Sequence, residues 1–339
     1  MTSRNYVEHV SVHSETKLGM SNKQVHAGID IGATNIKYGL VSPDGEVLYK
    51  DRKPAMVEKG AEPLLHLITN IAENLLFMAA EEGHEVRYLG VGTPGAVEIK
   101  TGKVIGPSPN IEGWQGTNLG SMLSERLNLP VKVDNDANTM ALAENRFGAA
   151  VGYQTVICVT LGTGVGGGVI MNGRLWRGAD GSAGEIGYLF IDSKAELSGQ
   201  GGSLESYCNS KALLDRVRNR MTDGLTPAFE KILSGDISTL TVKRLFQAAR
   251  NQDQVALDAI EETVQYLGIG LAGAVNLLNP EIVVIGGGIA DGGLNFVDQV
   301  ATVIKDHAFD SATRNLKVAK ASLGNAAGFI GASVLGEDF

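Results

Sequence analysis

Asp30-Ile31-Gly32-Ala33-Thr34 in the first half of the chain and Thr160-Leu161-Gly162-Thr163-Gly164 in the second decide the fold. In each, an apolar run stops at a glycine-rich turn and resumes as a second apolar run. Runs over 26–30 and 36–41 flank the first turn, and runs over 155–160 and 165–171 flank the second. Short apolar runs bounded by such turns are strand signals. Glycine turns also join ordinary hairpins, so the weight lies in their matched positions.

The surroundings of the two turns match as well. After the first, Ser42-Pro43-Asp44-Gly45 leads to a third strand over 46–51. Leu64, Leu67, Ile68, Ile71, Leu75 and Met78 recur at helical spacing, with Gly83 as the stop. A strand over 86–91, a helix over 117–127 and a strand over 131–133 follow. The second half adds a third strand over 185–192, then helices over 204–218, 241–250 and 253–278. A strand over 281–285, a helix over 294–307, a strand over 316–319 and a helix over 325–335 complete it. The order β-β-β-α-β-α-β occurs twice. That is the duplicated α/β arrangement of actin-like, ribonuclease H-like ATPases, two domains across one cleft. Residues 1–24 read as a flexible extension and 25–134 as the first domain, completed by the C-terminal helix (325–339). The second domain is then 135–324.

Bulk properties narrow the function. The chain has 339 residues, 43% hydrophobic, with 29 Lys and Arg against 38 Asp and Glu, a net charge of −9. An acidic chain without basic clusters argues against nucleic-acid partners. Only Cys158 and Cys208 are present, which excludes a disulfide framework or a four-cysteine zinc site. The N-terminus has no apolar signal-peptide core. The uncharged stretch 148–173 is too rich in Gly and Thr for a membrane helix. A cytoplasmic protein is expected.

The glycine turns suit phosphates. Without Cβ, a phosphate can approach backbone N–H groups, and Thr34 and Thr163 add hydroxyl donors. Asp30 ends its strand beside the first turn, where a carboxylate near phosphates needs an intervening cation. It is a candidate to hold Mg²⁺, through water. No Gly-x-x-x-x-Gly-Lys-Ser/Thr occurs, so a P-loop is excluded. Residues 162–167 match Gly-x-Gly-x-x-Gly but run on into a strand, not the helix a dinucleotide fold requires. Gly286-Gly287-Gly288 either receives an adenosine or simply makes a tight strand-to-helix turn.

Val131-Lys132-Val133-Asp134-Asn135-Asp136-Ala137-Asn138 reads as a strand ending in two carboxylates and two amides before a helix over 139–147. On one reading Asp134, Asn135 or Asp136 only caps that helix. On the other, one carboxylate serves the cleft as a base.

Seven motifs then appear in one order: Asp30-Ile31-Gly32-Ala33-Thr34-Asn35, Gly92-Thr93-Pro94-Gly95, Pro109-Asn110-Ile111-Glu112-Gly113-Trp114, Asp134-Asn135-Asp136-Ala137-Asn138, the glycine run 162–168, Ala183-Gly184-Glu185-Ile186-Gly187, and Gly286-Gly287-Gly288. In this the chain resembles the ROK-family sugar kinases, which include bacterial glucokinases, over roughly residues 26–335. The resemblance implies ATP and a hexose in an interdomain cleft, and γ-phosphoryl transfer to a sugar hydroxyl, typically the 6-hydroxyl of glucose. It implies Asp136 as general base, with Asn110, Asn135, Asp136, Glu185 and Glu205 on the sugar. It puts Asp30, Gly32, Thr34, Asn35, Gly162, Thr163 and Gly164 around the phosphates and Gly287 and Gly288 on the adenosine. It also implies a homodimer.

Two departures from the family stand out. Tyr188 occupies the position of a sugar-contacting histidine; it either keeps an altered contact or turns into the core. Glu196, Ser198 and Ser203 stand where the family commonly has zinc-binding cysteines. Two hydroxyls and one carboxylate are poor zinc ligands, so no structural zinc is expected, and the loop is ordered otherwise or is mobile until sugar binds. Lys37 is either a phosphate contact or a surface lysine, and Trp114 covers a sugar or packs its own loop. The alternative functions are phosphorylation of an N-acetylhexosamine, mannose or fructose, or a sugar-binding regulator. The regulators of this family need an N-terminal DNA-binding module, for which the residues before Asp30 show no helical pattern.

Overall fold

The computed structural model describes residues 23–337, apart from 109 and 200. Nearly all of the expected N-terminal extension lies outside the described residues. In chain order the first half runs β1 (Lys23–Ile31), β2 (Asn35–Val41), β3 (Val47–Pro54), α1 (Ala61–Glu81), β4 (His84–Thr93), β5 (Val97–Glu98), β6 (Lys103–Val104), α2 (Leu119–Leu127), β7 (Val131–Asn135) and α3 (Asp136–Phe147). The second half runs β8 (Val156–Leu161), β9 (Val165–Met171), β10 (Arg174–Leu175), α4 (Ser193–Leu197), α5 (Leu204–Cys208), α6 (Ser210–Arg220), α7 (Pro227–Leu233), α8 (Val242–Arg250), α9 (Gln254–Leu278), β11 (Ile282–Gly286), α10 (Phe296–His307), α11 (Asp310–Thr313), β12 (Lys317–Lys320) and α12 (Ala327–Ser333).

Two mixed five-stranded sheets result. Their orders are β3-β2-β1-β4-β7 and β10-β9-β8-β11-β12. In each, the first three strands of the half form an antiparallel meander and the last two add parallel to its first strand. Parallel neighbours need crossovers; α1 makes the first, and α4 to α9 lie within the corresponding one of the second half.

One core lies under the first sheet, where Ile29, Leu89 and Val133 meet Leu64, Ile68, Ile71 and Leu75 of α1. That buried stripe accounts for α1 being long and apolar enough, by length and composition, to span a membrane. A second core joins Ile157, Val159 and Val283 to α9 and α10 through Leu267, Leu271, Phe296 and Val300. Between the sheets, α3 and α12 pack through Met140, Ala141, Phe329 and Ile330. Helix α12 touches its neighbours backbone to backbone: a Cβ at its Gly331 would overlap the Thr139 carbonyl of α3, and one at Gly28 of β1 the Phe329 carbonyl of α12. Only glycine permits so close an approach.

The expected strand over 185–192 is not one. Ile186–Tyr188 is a single 3₁₀ turn, and Phe190 makes only an isolated bridge to Ser203. The third strand of the second sheet is β10, which follows β9 across Asn172 and Gly173, both at positive φ (54° and 71°). That is the two-residue hairpin Asn-Gly favours. The segment after Gly184 (φ 90°) crosses β9 instead, with Gly187 against the Val165 carbonyl. The helix expected over 204–218 is broken at Asn209, whose side chain accepts the Ala212 N–H at 2.8 Å and caps α6. The helix expected to begin at 139 begins at Asp136.

Candidate active site

The carboxyl ends of β1, β4 and β7 lie side by side. Asp30 is paired with Gly92, Gly92 with Asp134, and Thr93 with Asn135. In open α/β sheets this edge is where ligands bind. The equivalent edge of the second sheet pairs Thr160 with Gly286. Both expected glycine turns sit there: the Gly32 N–H donates to the Asn35 carbonyl at 3.1 Å, and that of Gly162 to Gly164 at 2.9 Å. Thr34 and Thr163 are exposed at their tips. Gly287, at φ 90°, lies against Leu161, so the third glycine turn is fastened to the second. Outward from Gly162 and Gly288 there is open space.

Asp136 is the first residue of α3 and its cap is Asn135. The Asn135 Oδ1 accepts the N–H groups of Ala137 at 2.9 Å and Asn138 at 3.4 Å, and its Nδ2 donates to the Gly95 carbonyl at 3.2 Å. Neither Asp134 nor Asp136 is the cap. Ala137 packs against Gly166, which seats the start of α3 on β9 beside the second glycine turn.

Asp136 keeps some access to water while protein surrounds most of it. Its carboxyl is pushed up to about 7, first by that enclosure, then by the negative charge of Asp30 and, less, of Glu185, against the Ala137 N–H, which favours the anion. Asp30 is buried and pushed up to about 6 by burial, partly offset by Lys37. Lys37 Nζ is 3.9 Å from Asp30 Oδ2 and one-third exposed, so this lysine faces the site. Glu185 is raised by its surroundings and by Glu205. Glu205 accepts the Val165 N–H at 2.8 Å, and its carboxylate sits against Gly164. The chain Asp30, Asp136, Glu185, Glu205 thus runs from one glycine turn to the other. Crowded carboxylates raise each other's pKa and mark functional clefts.

The remaining expected residues lie around this chain. Asn110 is exposed on the loop after Ser108, which itself donates to the Pro94 carbonyl at 3.1 Å. Tyr188 is 62% exposed, so it does not turn into the core. Trp114 is fully buried and donates from Nε1 to Thr93 Oγ1 at 2.9 Å; it packs and fixes the 92–95 turn and covers nothing. Two of the residues that stand in the cysteine positions make local contacts: Glu196 accepts the Gly202 N–H at 3.0 Å and Ser203 caps α5.

No cluster of three or more His, Cys, Asp or Glu suited to a metal occurs among the described residues. Mg²⁺ does not require one, since it binds one or two carboxylates plus phosphates and keeps its waters. Asp30, a hard oxygen donor beside a glycine turn, fits that role.

Sequence reasoning missed Arg177 and Glu144. Arg177 pairs with Asp134 in the interior. Glu144, fully buried on α3, accepts the N–H groups of Ala149, Ser322 and Leu323, holding the chain where it returns toward α12. Neither stands in a motif, so nothing local marked them. Two cavities of about 500 Å³, one lined by Arg146 and Arg174, the other by Leu257 and Asp306, lie away from Asp136.

Two mixed-sheet domains with glycine turns facing a chain of carboxylates are a kinase fold. The sequence pattern of the ROK family matches residues 26–338, and the chain belongs to the ROK family. It is 33% identical over 311 residues to a glucokinase of Thermotoga maritima, covering 90% of this chain and 95% of that one. It is 32% identical over 314 residues to a xylose repressor of Caldicellulosiruptor bescii, covering 91% and 78% respectively. Among solved structures, a ROK family glucokinase from Streptomyces griseus in complex with glucose and AMPPNP superposes with a TM-score of 0.79 at 34% identity, covering 92% of this chain and 98% of that one.

Proposed function

We propose that this protein is an actin-like, duplicated ATPase that transfers the γ-phosphoryl group of ATP to a hexose hydroxyl, glucose to glucose 6-phosphate, with Asp136 as general base. The observation that carries the reading is the place of Asp136. It sits at the junction of the two halves, between Asp30 beside one glycine turn and Glu185 and Glu205 beside the other. The glucose- and AMPPNP-bound relative supports the two ligands.

On this reading 25–134 with 325–339 forms one domain and 135–324 the other, and the crossing falls at Asn135 and Asp136. Asp136 takes the proton of the attacking hydroxyl. Its pKa near 7 keeps it a useful base while leaving a large fraction ionised at neutral pH. Asn110, Glu185, Glu205 and the remaining amide hydrogen of Asn135 bind hydroxyls, as an uncharged polyol requires. The turns at Gly32–Thr34–Asn35 and Gly162–Thr163–Gly164 hold phosphates, and Gly287 and Gly288 face the adenosine. Asp30 would hold Mg²⁺ through water, which neutralises charge on the transferring group. Tyr188, exposed directly after the Glu185 loop, contacts the sugar in place of histidine, and the residues around Glu196 and Ser203 would need no zinc. The expected setting is cytoplasmic, as a homodimer.

Tyr188 also favours a second reading, a different acceptor such as an N-acetylhexosamine, mannose or fructose, because a phenol is longer than an imidazole. A panel of hexoses with ATP, GTP and polyphosphate, followed by formation of the sugar phosphate, separates these. The highest kcat/KM for glucose with ATP is the expected result. No turnover with any pair, together with salt-dependent DNA binding, would favour a regulator like the xylose repressor instead.

A further inference from the structure

We propose that Asp134 and Arg177 are a positioning pair that sets hexose affinity, holding the strand that leads to Asp136 against the loop that leads to Glu185. The proposal rests on the hexose-kinase reading. Arg177 Nε lies 2.7 Å from Asp134 Oδ2, with the side chains 14% and 1% exposed. The other carboxylate oxygen accepts the Asn135 N–H at 2.7 Å and the Asn138 Nδ2 at 2.9 Å. Asp134 is therefore fastened to residues on both sides of Asp136.

Arg177 is fastened to the approach to Glu185. Its carbonyl accepts the Ala183 N–H at 3.1 Å, closing a loop over 177–183. Within it, Gly181 lies against the Val97 carbonyl of β5, and Gly184 packs on Gly167 of β9. No helix or strand occurs between Leu175 and Ile186. The course of that backbone is set by such contacts, and the ion pair carries one of them to β7. An ion pair this buried gains little net stability, because desolvation offsets attraction. What the pair contributes is register: one short charge-assisted bond from Arg177 Nε to Asp134 Oδ2 ties the loop to the strand at a fixed distance. Sugar hydroxyls bridging Asn135 and Asp136 to Glu185 would feel a displacement of the loop directly, while the phosphate turns at Gly32 and Gly162 would not.

The test compares Arg177→Met, Arg177→Lys and the double variant Asp134→Asn/Arg177→Met in the full-length protein. Arg177→Met strands a buried carboxylate, so its Tm falls; the double variant removes that charge and recovers Tm. Hexose KM is expected to rise about tenfold or more in both, with ATP KM within about twofold of wild type. Arg177→Lys keeps the charge but not the Nε–H that meets Asp134 Oδ2, and should fall between. Amide hydrogen exchange over 178–185 should accelerate in Arg177→Met and in the double variant. A double variant that regains wild-type hexose KM along with its Tm would make the pair merely structural and overturn the proposal. If the wild type phosphorylates no hexose, the kinase reading fails. The exchange measurement still decides the pair, since unchanged protection over 178–185 in the double variant would overturn it.

Discussion

Asn135 Oδ1 accepts the Ala137 N–H at 2.9 Å, so the helix cap and the candidate base are adjacent side chains with separate duties. The Ala137 N–H is shared, since Asp136 Oδ1 also accepts it at 2.9 Å, while the Asn138 N–H goes to the cap alone. Asp136 thus holds one backbone donor and otherwise faces the carboxylates of Asp30 and Glu185.

Asp136→Asn keeps size and hydrogen-bonding capacity but cannot take a proton. Hexose binding by calorimetry should persist, while kcat falls by about 10²–10⁴-fold, the range general-base removal produces. Near-normal kcat in this variant would remove Asp136 from the mechanism.

Asn135→Ala removes the cap and the bond to Gly95 together. A lost cap costs about 1 kcal/mol, which should appear as a lower denaturant midpoint with an unchanged m-value. Hexose KM should rise as well, because the start of α3 carries the base.

Much of this site was legible in the sequence for a physical reason. Asp30, Gly162 and Asp136 fall where a buried run of apolar residues ends, and such an edge is visible in one dimension. What the sequence concealed is tertiary. The segment after Gly184 alternates like a strand, with Ile186, Tyr188 and Phe190. It nonetheless crosses β9, because Gly184 and Gly187 let it lie on that strand's backbone. Asn172-Gly173 had already spent the place of the third strand on β10. Arg177 was silent because its meaning depends on Asp134, 43 residues away.

The loop without cysteines gives a third prediction. Glu196 is exposed and binds one backbone N–H, so Glu196→Ala should change stability by no more than about 0.5 kcal/mol. Hexose KM should rise, since Gly202 immediately precedes Ser203 and Glu205. Wild-type Tm should be the same with and without a strong zinc chelator; a fall on chelation would show a metal in the loop.

The acid limb of kcat/KM should report Asp136. Activity should climb with pH through about 7 as the carboxyl ionises. Burial is the larger cause of that raised value and Asp30 the next, so Asp30→Asn should move the limb to lower pH. It should lower kcat as well if Asp30 holds the metal's water, and the displacement of the limb separates the two effects. An unmoved limb in Asp30→Asn would mean the two carboxylates do not interact.

Stability should run opposite to activity. The folded pKa of Asp136 lies above its unfolded value near 4, so between about pH 4 and 7 the native state binds the extra proton. Stability is fully present below the unfolded pKa and is lost as pH rises through the folded one. At pH 8 an ionised Asp136 beside Asp30 and Glu185 therefore destabilises the fold. Because water still reaches the carboxyl, the cost is discounted to about 1–3 kcal/mol. Asp136→Asn should raise the Tm at pH 8 and leave it unchanged at about pH 2–3, below the unfolded pKa, where the wild-type carboxyl is neutral in both states. Equal gains at both pH values would trace the effect to packing rather than charge. A loss at pH 8 would mean the carboxylate is stabilised by a partner, contrary to its place among like charges.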